Sequence, residues 1–143
     1  TAAGLTASVL QFVKLADEVL VVATPNPASM LDAYSMIKVA RQEKVPGRIG
    51  LLVNQAEDPK QAAHVQDRIC TCAEQFLGFA LHAHGHLTRD VELERSAHRR
   101  EPYLLTHPDT VNAKTLRTLA ARLRSAPPPA ATPAPAPLAA APA

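Results

Sequence analysis

Three strand-length, β-branched or apolar runs, each followed by a segment with helical spacing, constrain this chain more than any other feature: Glu18–Thr24, Arg48–Asn54 and Phe79–Leu87. Strands that alternate with helices pair in parallel, through right-handed crossovers. Such a sheet needs helices over both faces, and its core is then Val, Leu, Ile and Ala. The composition agrees, with three Phe, two Tyr and no Trp in 143 residues. The expected class is therefore α/β, a parallel sheet with flanking helices.

The helices can be placed from their punctuation. A first one is expected over Thr6–Leu15. Asn26-Pro27 reads as a cap followed by a first helical residue, and Met30, Ala33, Tyr34, Ile37 and Ala40 form a stripe over Pro27–Glu43. Asp58-Pro59 opens the next, whose stripe Ala62, Val65, Ile69, Ala73 and Phe76 ends before Gly78. A short helix over Asp90–Arg99, an extended piece at Tyr103–Leu105 and a last helix over Thr110–Arg124 complete the body. Residues 1–125 are thus expected to be one domain. From Ala126 the chain is Pro, Ala, one Thr and one Leu, without charge, and residues 126–143 read as a disordered tail.

Several function classes are disfavoured. A net charge of +2, with positive residues scattered among acids except in the last helix, sets up no field strong enough to gather nucleic acid. No apolar run approaches the roughly 20 residues of a membrane span. Cys70 and Cys72 stand two apart on a helix and point away from each other, so they read as free, partly buried thiols. No Gly-Lys-Ser/Thr loop, Gly-x-Gly-x-x-Gly or Gly-x-Ser-x-Gly turn occurs, and no catalytic set is evident in the chain. The first residue is Thr rather than Met, from which a longer protein is expected.

In parallel sheets ligands bind beyond the carboxyl ends of the strands, here Thr24-Pro25-Asn26, Asn54-Gln55 and Gly85–Asp90. Asn54 could offer a donor and an acceptor to the edge of an adenine ring, or could simply cap its strand. His82, His84 and His86 alternate along one strand and invite a zinc reading, but no acid or cysteine is placed to finish a shell. The other reading puts Phe79, Leu81 and Ala83 toward the core and the histidines on a polar or partner-covered side. Asp32 and Asp90 suit a polar helix face and a first helical turn. The last helix carries Leu116, Leu119, Ala120 and Leu123 opposite Lys114, Arg117, Arg122 and Arg124, a pattern that fits a core-packing helix or a membrane-surface one.

The order of pieces resembles a known family. Thr1-Ala2-Ala3-Gly4-Leu5, then Ala16–Pro27 and Asp32-Ala33-Tyr34-Ser35-Met36-Ile37-Lys38, look like the second half of a MinD/ParA-type P-loop ATPase. Leu51-Leu52-Val53-Asn54 and Arg99-Arg100-Glu101-Pro102-Tyr103 resemble in particular the FlhG/FleN branch, which regulates flagellar number and placement. The resemblance covers about residues 1–124.

It implies the second half of a P-loop NTPase fold of the SIMIBI/MinD-like kind, with ATP and Mg²⁺ as cofactors of the intact protein. Asn54 would contact adenine, Gly4 would belong to the switch turn near the γ-phosphate, and Gly85 and Thr88 would lie in the loop walling the base. Thr24, Pro25, Asn26 and Asp32 would lie near an ATP-dependent homodimer interface. The phosphate loop and its lysine would precede Thr1, so no hydrolysis is expected from this chain alone. Flagellar or other protein partners, a cytoplasmic location and no nucleic acid follow, with peripheral contact at the inner face of the cell membrane left open. Thr88 stands where the family usually has Pro, and Ala2 where it usually has Gly; a non-catalytic interaction module of the same fold is the second reading.

Overall fold

The computed structural model describes residues 7–125. Gly4 and the Pro/Ala tail lie outside them. The order is α1 (Ala7–Leu15), β1 (Glu18–Ala23), α2 (Pro27–Gln42), β2 (Arg48–Ala56), α3 (Pro59–Leu77), β3 (His82–Thr88), α4 (Val91–Arg99), α5 (Tyr103–Thr106) and α6 (Val111–Ser125). The three strands form one parallel sheet in the order β1-β2-β3. The α/β class and the parallel pairing are as the sequence implies.

Local chemistry sets the boundaries. Asn26 caps α2 by accepting the Ala28 N–H at 2.8 Å, and Asp58 caps α3 by accepting the Gln61 N–H at 2.7 Å, each followed by a proline in the first turn. Helix α3 stops at Gly78, whose φ of 67° lies in the left-handed region that favours glycine. Tyr103–Leu105 departs from expectation. It forms a single helical turn rather than an extended piece, because Pro102 starts the turn and its carbonyl accepts from the Leu105 and Thr106 amides.

The larger core fills one face of the sheet. Val21 and Ala23 of β1 and Leu51 and Val53 of β2 meet Ala33 and Ile37 of α2 and Val65, Ile69 and Ala73 of α3. Phe76, the last member of the expected α3 stripe, is instead 71% exposed. The opposite face is covered by α6, where Leu119 packs on Leu52 and Leu87, with Leu20, Leu116 and Leu123 around them. That contact realises the core-packing reading of the last helix, although Ala120 is exposed. The outer edge of β1 has no strand neighbour among the described residues. Beside it Val22 is 49% exposed, and on α1 Phe12 and Leu15 are exposed as well.

The strand histidines do not behave as a set. Phe79 and Leu81 pack against the larger core as expected. His82 is exposed, whereas His84 is buried on the α6 side and bonds Glu18 Oε1 through Nε2 at 2.6 Å. The other Glu18 oxygen accepts from Arg48 at 3.1 Å. The His84 ring crosses β2 over Gly50, where an added Cβ would lie 2.3 Å from Nε2. A glycine inside an otherwise apolar strand thus marks close approach by a neighbour.

Gly50→Ala should therefore displace the His84 ring from Glu18 and lower stability by about 1–3 kcal/mol. Urea unfolding of the variant checks this; an unchanged midpoint would contradict the packing.

Candidate functional site at the carboxyl ends of the strands

The register gathers the three strand ends. Ala23 pairs with Val53, Val53 with His86, and Ala56 with Thr88, so Thr24 and Asn54 stand one step past the same ladder position and the turn Thr88-Arg89-Asp90 begins level with Ala56, two residues further along β2. The Arg89 N–H donates to the Ala56 carbonyl at 2.8 Å and ties the turn to the end of β2.

Asn54 is half-buried near the end of β2. Its Oδ1 accepts the Gln55 N–H at 2.9 Å, and Gln55 adopts a φ of 60°. The carboxamide retains a second Oδ1 lone pair and its Nδ2 hydrogens, the donor and acceptor that a purine edge requires.

The turn beside it is braced from α5 and α6. Asn112, buried at the start of α6, serves Thr88 as a neighbouring strand would. Its Oδ1 accepts the Thr88 N–H at 3.1 Å, and its Nδ2 donates to the Thr88 carbonyl at 2.8 Å. Asp90 caps α4 through the Glu92 and Leu93 amides and accepts from the Tyr103 hydroxyl at 2.5 Å and Asn112 Nδ2 at 3.3 Å. The hydroxyl bond from Tyr103, followed by the amide bonds, holds the Asp90 carboxyl below the usual carboxylate range. Burial, and then the bond to Asp90, pushes the Tyr103 phenol up.

Of the other sequence candidates, Thr24 donates its N–H to Ser29 Oγ at 3.0 Å, Asn26 is engaged as the α2 cap, and Asp32 is exposed on α2. Pro25 and Pro27 line a cavity of about 450 Å³ between α2 and α3, with Met30, Tyr34 and His64. Gly85 stands apart from the strand ends. It lies inside β3 at a φ of 97°, where the pairing register shifts, because β3 runs on to Thr88. The thiols of Cys70 and Cys72 are free and partly buried; burial, and then the charges of Asp67 and Glu74, push the Cys70 thiol up.

Asn112, Tyr103 and Thr110 carry the bracing of the site and were not marked as site residues by the sequence. Only the apolar periodicity that starts α6 hints at the role of Asn112. Among the described residues, no group of three or more His, Cys, Asp or Glu is placed to hold a metal ion, and no helix is long and apolar enough to cross a membrane.

The chain is 28% identical over 130 residues to the antiactivator FleN of Pseudomonas aeruginosa, covering 91% of this chain and 46% of FleN. It is 26% identical over 126 residues to the flagellum site-determining protein YlxH of Helicobacter pylori, covering 87% of this chain and 42% of YlxH. The chain therefore spans about half the length of these curated relatives. Its fold superimposes on the MinD cell division protein of Aquifex aeolicus with a TM-score of 0.65 at 19% identity, covering 88% of this chain and 51% of that one. No family model matches the sequence.

The Asp90 network predicts acid sensitivity. Because the carboxyl is depressed in the folded state, its contribution is complete above the unfolded carboxylate value of about 3.9 and is lost as pH falls through the lower folded value. Tyr103→Phe should cost about 1–2 kcal/mol at neutral pH, and the gap from wild type should narrow in acid. Urea unfolding across that range tests it; a pH-independent gap would contradict the assignment.

Proposed function

From a chain that belongs with the FleN branch of the MinD-like proteins and matches the carboxyl-terminal half of that fold, we propose that it supplies the base-recognition and dimerisation half of an ATPase. In this reading the intact protein controls flagellar number or placement through ATP-dependent homodimerisation, in the cytoplasm and with other proteins as partners. The observation that carries the reading is Asn54. Its carboxamide has free hydrogen-bonding capacity and stands beside a turn that Asn112, Asp90 and Tyr103 hold in one conformation. Preorganisation of this kind favours a specific ligand, because little is lost in ordering the site on binding.

In this reading the residues at the strand ends suit an adenine edge and provide no phosphate cradle there. Phosphoryl transfer depends on positioning and on neutralising phosphate charge. The loop, lysine and Mg²⁺ ligands for that task would come from sequence preceding Thr1. Within this chain, Asn54 would orient the base and the Thr88–Asp90 turn would wall it. The Thr24–Asn26 segment and Asp32 would face a second copy across the nucleotide.

The 143-residue chain alone should show no ATP turnover above a mock preparation. In the protein expressed from its full reading frame, Asn54→Ala should weaken ATP binding about tenfold or more through loss of a paired donor and acceptor. It should also erase the preference for ATP over GTP. Undiminished affinity and preference in that variant would overturn the assignment.

A further inference from the structure

We propose that a groove on the other side of β3, between its outer edge and α6, binds a small phosphate-bearing ligand. The proposal goes beyond the nucleotide reading and does not depend on it. The cavity measures about 470 Å³ and is lined from β3 by His84, Gly85, His86 and Thr88, a volume within the usual range for small-molecule sites.

The opposing wall is one face of α6. Lys114, Thr118 and Arg122 recur every fourth residue, and Thr115 lies beside them. No carboxylate lines the groove. Lys114 and Arg122 are exposed, and neither takes part in the ion pairs found among the described residues. The Thr118 hydroxyl donates to the Lys114 carbonyl at 2.9 Å, so the donors that share this concave surface are the two cations, which form no ion pair among the described residues, and the Thr115 hydroxyl, an array suited to the several oxygens of a phosphate.

His84 gives an independent reason. Glu18 can only accept, so the Nε2 atom that bonds it carries the hydrogen. The Nδ1 atom is buried and has no hydrogen-bond partner. Buried nitrogens left in this state are rare and costly. The atom exposes less than 1 Å² as the ring stands, so a phosphate in the groove would satisfy it on a small movement of the groove wall, through P–OH to a bare nitrogen or through an anionic oxygen to an N–H.

The groove does not suit an acidic strand added to the edge of β3. Gly85 has a φ of 97° and the register shifts on both sides of Val53, so the edge is bulged and its ladder interrupted.

The test uses the 143-residue chain titrated with pyrophosphate at constant ionic strength, followed by calorimetry and by the histidine ring signals in nitrogen-resolved NMR. Saturable binding with a shift of the His84 ring resonances is expected. The double substitution Lys114→Ala and Arg122→Ala, at exposed positions, should weaken it about tenfold or more without altering circular dichroism. Asn54→Ala should bind as wild type. The proposal is overturned by absence of saturable binding, by undiminished binding in the double variant, or by loss of binding in Asn54→Ala alone, which would place the phosphate at the strand ends.

Discussion

Parallel pairing of three strands is the constraint on which everything else in this protein rests. It brings every carboxyl end to one side of the sheet and every amino end to the other. It also requires apolar cover on both faces. The larger core under α2 and α3 and the smaller one under α6 answer that requirement. Because the strand ends are fixed by packing, the side chains beyond them are held without a scaffold of their own. Asn54 and the Asn26 cap are positioned in this way, whereas the Thr88–Asp90 turn is braced in addition by Asn112 and Tyr103.

The two ends of the sheet carry different polar chemistry. At the carboxyl ends, Asn112 acts as a substitute strand neighbour for Thr88, and Asp90 joins α4, α5 and α6 through one carboxylate. Toward the amino ends, Glu18 bridges Arg48 and His84 across a sheet whose central strand has a glycine at the crossing point. A half-buried carboxylate is tolerable there because both its oxygens are engaged. The first cluster holds a turn beside the proposed base site, and the second fixes a ring that lines the α6 groove.

Much of the architecture was legible in the sequence, for identifiable reasons. Asn26-Pro27, Asp58-Pro59 and Gly78 are strong local signals, since capping oxygen, fixed φ and left-handed backbone act within a few residues. The resemblance to the MinD/ParA-type proteins was carried by Thr1–Leu5, Ala16–Pro27, Asp32–Lys38, Leu51–Asn54 and Arg99–Tyr103 in combination, of which Ala16–Pro27 contains β1 and Leu51–Asn54 lies within β2. The features that escaped depend on distant partners. Nothing local in His84 distinguishes it from His82 or His86, because its burial depends on Glu18 and Gly50, far away in the chain. The displacement of Gly85 from the loop into β3 came from a bulge that alternation cannot register. Phe76 kept helical spacing with a buried stripe, but the core-facing stripe passes from Ala73 to Leu77 instead, which leaves Phe76 exposed.

The central claim is that the converging strand ends form the base-binding half of a nucleotide site. Photolabelling the protein expressed from its full reading frame with an azido-adenine analogue of ATP, followed by peptide mapping, tests this most directly. The account predicts ATP-protectable label on the peptides carrying Asn54 or Thr88–Asp90. Label confined to other segments, or no ATP-protectable label in a protein that hydrolyses ATP, would contradict it.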